Sequence, residues 1–228
     1  MAYTLNESLS FTGTGTATSV HQNTTASNML LAVSIAVGVG TAGRISTVTD
    51  SSSNVYTKID SSAGNGLDNE LWVCSNGSIT NATTLTITPT VGTDVWAAIW
   101  ALFTSGTTTN AFDRLGTATT GANTSTSATA STAATRNATE IVIAYASQAN
   151  NRPFNAGSGF TSVTQGANGA TAETFMEYMN VSTTGTQTAT TSWDLGSAYV
   201  FNLATFSDTA IAGGGVVNYQ LMMLGIGT

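Results

Sequence analysis

Two stretches of this chain, 103 residues apart, repeat one another, and that repeat limits the possible folds more than any other feature. Asp94-Val-Trp-Ala-Ala-Ile-Trp-Ala-Leu-Phe103 lies over Ser197-Ala-Tyr-Val-Phe-Asn-Leu-Ala-Thr-Phe206, with Trp96 on Tyr199, Trp100 on Leu203 and Phe103 on Phe206. At the same offset Glu70-Leu-Trp-Val73 meets Glu173-Thr-Phe-Met176, and a Thr-rich run follows each, 83–88 and 186–192. Upstream, Met29 to Val37 corresponds to Glu140 to Ala146 at an offset of about 110, a drift that a change of loop length explains. An order of strand types kept over four segments implies a structural repeat, with halves at about 28–106 and 139–209 of one domain spanning 1–210.

These segments read as strands. Threonine is the commonest residue, and β-branched side chains at that density disfavour helix. Alternation and turn residues place strands at 3–11, 14–20, 29–37, 45–49, 54–60, 69–75, 83–88, 94–104, 115–120, 126–132, 139–147, 160–165, 172–181, 186–193 and 197–207. Asn-Gly joints such as Asn76-Gly77 separate them. About fifteen short strands with no amphipathic helix between them predict an all-β fold, a two-sheet antiparallel β-sandwich of jelly-roll type. The run 94–104 is apolar on both faces, so it is expected at the centre with its outer face covered, or packed through its Trp face on another subunit.

Charge excludes some partners. Five Lys and Arg against twelve Asp and Glu give a net charge of -7, which opposes binding to nucleic acid or anionic lipid. No apolar run is long enough to span a membrane as a helix. The start MAYTLNESLSF has neither a basic n-region nor an apolar h-region, and Cys74 is the single cysteine, so folding in a cytoplasm without disulfides is expected.

Chemistry-bearing residues are sparse. His21, the only histidine, sits in the polar run Ser19-Val-His-Gln-Asn23 with no nucleophile elbow elsewhere to serve. Two carboxylate pairs, Asp68 with Glu70 and Glu173 with Glu177, have the even spacing that places both members on one face of a strand, as glycoside hydrolysis would need. Glu70 and Glu173 match in the repeat, which favours a shared structural position. Asp50-Ser-Ser-Ser-Asn54, with Asp60 and Asp68 nearby in sequence, loosely echoes a calcium loop, although an Asp-initiated turn accounts for it as well. No cofactor is expected: His and Cys ligands are too few, and Gly13-Thr-Gly15 and Gly38-Val-Gly40 precede no helix. Trp72, Trp96, Trp100 and Trp193 are candidates for sugar-stacking platforms, but most of them are expected in the core. A glycan-facing surface is expected on the loops around 61–69 and 148–158, with Asn150, Asn151, Arg152 and Phe154 its most distinctive residues.

The end of the chain changes character. After the joint Gly213-Gly-Gly215, the uncharged residues Val216, Val217, Tyr219, Leu221, Met222, Met223, Leu224 and Ile226 make 211–228 an apolar docking segment, for a neighbouring subunit or a sheet edge.

The succession MLLAVSIAV (29–37), Ser46-Thr-Val-Thr-Asp50, Asn54-Val-Tyr-Thr57, Glu70-Leu-Trp-Val73 and Val95-Trp-Ala-Ala-Ile-Trp-Ala-Leu-Phe103-Thr-Ser-Gly106, continued by Glu140-Ile-Val-Ile-Ala144 and the strand ending at Phe206, resembles a β-sandwich domain of tailed-bacteriophage structural proteins and some bacterial surface proteins. The resemblance covers about residues 5–208 and rests on strand and turn patterns. It implies a non-enzymatic virion component on the particle exterior: a capsid decoration protein, a head fibre or a tail-associated protein. Its partners would be further copies of itself, a trimer by analogy, and a major capsid or tail protein. A carbohydrate-binding adhesin that meets host-surface glycan is the alternative expectation, and a glycoside hydrolase a third.

Overall fold

The structure is a computed structural model that describes residues 2–20, 24–104 and 111–209. All regular structure among them is β. The first half contains β1 (Thr4–Thr14), β2 (Ala17–Val20), β3 (Ala26–Val37), β4 (Ile45–Asp50), β5 (Thr57–Gly64), β6 (Leu67–Ile79), β7 (Thr84–Pro89) and β8 (Val95–Thr104). The second contains β9 (Phe112–Thr117), β10 (Thr119–Gly121), β11 (Ser127–Ala134), β12 (Glu140–Gln148), β13 (Thr161–Asn168), β14 (Ala172–Val181), β15 (Thr186–Ser192) and β16 (Tyr199–Ser207).

The antiparallel sandwich is built twice. A sheet ordered β1-β8-β3-β6-β5 packs on a three-stranded sheet, β2-β7-β4, around Val33, Ile35, Trp72, Ile87, Trp96 and Trp100. In the second half, β13-β14-β12-β16 curls through β9 into β11 and β15, enclosing Val142, Ala144, Phe175, Ala189, Trp193 and Phe201. The two large sheets then meet back to back over a third core of Leu30, Ile99, Phe103, Ile143, Tyr145, Met176 and Phe206. Four sheet layers result, and β8 lies in the second of them. Its Trp96 and Trp100 face the first sandwich core while Ile99, Ala101 and Phe103 face the second half, which accounts for a strand apolar on both sides.

The halves are related by a pseudo-twofold axis parallel to the strands. Strand order β8-β3-β6-β5 recurs as β16-β12-β14-β13, with β3 packed on its counterpart β12, β8 on β14, β6 on β16, and β1 on β13 where β5 meets β10. Side chains obey the same relation. Asn168 Nδ2 donates to the carbonyl oxygen of Gly13 at 2.9 Å, and Asn65 Nδ2, one repeat earlier, donates to that of Gly121 at 2.9 Å. Consequently both halves present their β3–β4 or β12–β13 loops at one common end.

The hydrogen-bond ladders refine the sequence offset. Val33 faces Trp100 and Trp72, whereas Ala144 faces Leu203 and Glu177. With β8 and β16 aligned at 103, β6 and β14 are therefore displaced by two further residues. A slip of two leaves every side chain on its original face. It places Glu173 at the position of Asp68, not of Glu70. One joint also proved to be strand: Asn76, at φ 61, and Gly77 lie within β6, where a Cβ on Gly77 would come within 2.5 Å of Leu31 Cδ1.

Candidate functional site

Nine of the twelve acidic side chains are buried: Asp60, Asp68, Glu70, Asp94, Asp113, Glu140, Glu173, Glu177 and Asp208. Their positions follow from strand alternation, since Glu70 shares its face with Trp72, and Glu173 and Glu177 share theirs with Phe175. Burying so many carboxyl groups is costly unless each is paired, hydrogen-bonded or neutral. With five basic residues in the chain, cations serve only some of them.

At the common loop end of the first sandwich, Arg44 makes a two-point contact with Asp94, Nε to Oδ2 at 2.8 Å and Nη2 to Oδ1 at 2.6 Å. The backbone N–H of Arg44 donates to Asp68 Oδ2 at 3.0 Å and that of Ile45 to Glu70 Oε1 at 2.9 Å. Glu70 Oε2 also receives Trp72 Nε1 at 2.8 Å and pairs with Lys58 Nζ at 2.9 Å. Asp68 has no cation of its own, and burial together with the neighbouring Glu70 carboxylate pushes its carboxyl up to about 7. The pair expected for hydrolysis thus does lie on one face, but both members are fully buried and clamp the 38–44 loop onto β6.

In the second sandwich Glu173 and Glu177 are separated by a plug. Phe154 stacks on Phe175 at 4.8 Å between ring centroids and meets Trp193 edge-on at 5.6 Å. Glu177 Oε2 accepts the N–H of Gly157 at 2.8 Å, and Glu173 Oε2 accepts Gln148 Nε2 at 3.1 Å. Burial pushes both carboxyls up to about 7. Glu173 Oε1, Glu177 Oε1 and Gln148 Oε1 lack a donor. A protonated Glu173 carries an O–H donor that its carboxylate lacks and needs no cation beside it. At the far end of the sandwich Asp113 is served by Arg136 Nε at 3.2 Å, and Glu140, raised to about 8 by burial and by its hydrogen bond to Asp113, is the partner left to carry a proton. Where no cation serves a buried carboxyl, burial pushes it towards the protonated, uncharged form.

A fourth polar cluster ties the halves together. Asp60 Oδ2 accepts Tyr145 OH at 2.8 Å and Asn202 Nδ2 at 2.9 Å, and Ser34 and Thr174 share a hydrogen bond of 2.8 Å across the same seam.

The remaining expectations fall as follows. The Asp50 carboxylate is occupied by Ser52 N and Asn54 N on Oδ1 and by Asn54 Nδ2 and Tyr56 OH on Oδ2, so it closes a turn. Asp60 lies at the seam and Asp68 under the 38–44 loop, so the three carboxylates considered for calcium are not brought together; among the described residues no group of three or more His, Cys, Asp or Glu is placed to hold a metal. All four Trp are buried. Within the 149–160 loop Asn150 and Asn151 are exposed, with φ of 78 and 48, and Arg152 is half-buried. Phe154 is a correction: it plugs the sandwich and is only 9% exposed, because the loop crosses the open top of the core and needs an apolar anchor there. His21 and the segment from Val216 to Ile226 lie outside the described residues.

Exposed surface is poor in charge. Thr47, Thr49, Thr186, Thr188, Thr190 and Ser192 line the outer faces, and among the described residues the exposed large apolar side chains are Val55, Val91 and Leu195, the last two at equivalent β7–β8 and β15–β16 loops. Comparison with protein-family models, with curated proteins and with solved structures gives no match.

Proposed function

We propose that this chain is a non-enzymatic structural protein of a tailed-bacteriophage particle, foremost a capsid decoration protein on the particle exterior, assembling by sheet-edge and apolar-tail contacts. One observation carries the reading. The carboxylates that could have served catalysis are interior ties: Glu70 holds Ile45, Lys58 and Trp72, and Glu177 holds Gly157, while Thr and Ser face outward. A four-layer slab with a charge-poor, hydroxyl-rich surface and an apolar tail suits a part whose role is to be assembled.

The test is quantitative mass spectrometry of extracellular particles purified from the source culture. Hundreds of copies per particle are the expected result. A handful to a dozen would move the protein to a vertex, fibre or tail, and absence would overturn the virion reading.

A further inference from the structure

The two halves differ at one strand position. In the first half β4 pairs antiparallel with β7, and its Ile45 and Val48 close the sandwich core. In the second half the corresponding edge belongs to β15. There Asn155 makes a single bridge to Ser192, where the first half has Ile45 opposite Pro89. Past Asn155 the chain turns back, with Phe160 N donating to the Gly157 carbonyl at 3.0 Å, and β15 is left as the terminal strand of its sheet. Gly157 is packed so closely on Thr190 that a Cβ there would lie 2.1 Å from its carbonyl oxygen, which seals the upper part of the edge. Along Thr186–Ala189 the edge has no strand partner among the described residues, and Phe160, Met179 and Val181 are half-buried on the core that a β4-like strand would cover. An unpaired edge beside a partly covered apolar strip has the shape of a missing strand.

The chain carries a segment of matching chemistry. Val217, Tyr219, Leu221 and Met223 alternate with Asn218, Gln220 and Met222, the period that puts four apolar side chains on one face of a strand, and no charge would have to be desolvated. We infer that residues 216–223 of a second copy add antiparallel to β15 along Thr186–Ala189, seating that face on Phe160, Met179 and Val181.

Direction selects the second copy. β16 ends at Ser207, and Glu140 pairs with both Ser207 and Val181, so the chain leaves at the end of the molecule where β15 begins. A tail turning straight back onto its own chain would run parallel to β15, whereas every strand pairing among the described residues is antiparallel, and an antiparallel seat on the same chain would require 208–215 to pass the whole edge first. Each copy gives one tail and accepts one, a head-to-tail contact that forms a ring where the rotation between copies closes and an open filament where it does not. This deepens the proposed function, resting on its reading of the tail as the assembling element and supplying the receptor.

Cross-linking of full-length chains tests it. A Thr188→Cys chain is mixed with an Asn218→Cys or Gln220→Cys chain and treated with a short bis-maleimide; buried Cys74, whose thiol burial pushes up to about 11, does not compete. The expected result is a covalent dimer containing one of each chain, at least tenfold above either variant alone. A cross-linked monomer from the Thr188→Cys, Asn218→Cys double variant, with no dimer in the mixture, would show the tail on its own chain and overturn the inference, as would no product at all. A dimer without particle binding would uphold the slot and remove the virion reading; particle binding without a dimer would do the reverse.

Discussion

Stability is expected to fall as pH rises from 5 to 8, the reverse of ordinary acid unfolding. In the folded chain Asp68, Glu173 and Glu177 hold their protons to about pH 7 and Glu140 to about pH 8. In the unfolded chain Asp and Glu release theirs near about 3.9 and 4.3. A carboxyl raised by folding contributes stability that is complete below the unfolded value and is lost as pH climbs through the folded one. One proton of difference slopes by about 1.4 kcal/mol per pH unit, so four set a ceiling of about 5 kcal/mol per unit between pH 5 and 6.5. Coupling within the Asp68–Glu70 and Asp113–Glu140 pairs makes each pair release its protons as a unit, so the slope lies below that ceiling, and it acts on the roughly 5–15 kcal/mol that holds a domain folded. Urea titrations followed by tryptophan fluorescence, at fixed ionic strength and half-unit steps, read the slope directly. A transition midpoint that holds steady or climbs between pH 5 and 8 would refute the reasoning. Glu173→Gln keeps the hydrogen bond to Gln148 but has no proton to lose, so its slope should be shallower by about 1.4 kcal/mol per unit.

Other expectations follow from single contacts. Trp100→Ala, in the first core, should cost about 3–5 kcal/mol in chemical unfolding. Gly13→Ala forces a Cβ to 2.4 Å from Trp96 Cζ2 and should lower stability by about 1–3 kcal/mol, visible as a reduced melting temperature. Tyr145→Phe leaves Asp60 without one donor at the seam and should cost about 1–3 kcal/mol; an unchanged unfolding midpoint would deny the seam that role. Removing residues 213–228 should leave the described strands folded by circular dichroism while abolishing assembly; binding to particles at full stoichiometry would count against the tail as anchor.

Much of the fold was legible because strand alternation is local. The run 94–104 announced a covered strand, and Glu70-Leu-Trp-Val73 announced that a carboxylate shares the face of a tryptophan. What covers β8 was not legible, since back-to-back packing depends on residues more than a hundred positions away. The Asn76-Gly77 pair misled for a definable reason: a left-handed Asn followed by Gly marks a hairpin turn, but it also fits a bulge within a long strand, and β6 uses it so. The carboxylate pairs were read correctly as sharing faces. Their depth came from loops, 38–44 over one pair and the Phe154 plug over the other, and loop closure leaves no periodic trace. Glu140 and Asp113 could not have been paired from sequence because they sit on strands that meet only through β16.

The pseudo-twofold seam also bears on how such a chain can diverge. In a dimer of identical subunits each substitution appears twice, so a large residue near the axis meets its own copy and must fit against it. Fused in one chain, the two sides change independently. The ladders place Ser34 and Tyr145 at equivalent positions beside Val33 and Ala144, a small hydroxyl on one side and a phenol reaching Asp60 on the other. No self-matched interface could hold that combination. Covalent linkage thus turns a surface that must complement itself into one with separate donor and recipient sides, free to specialise.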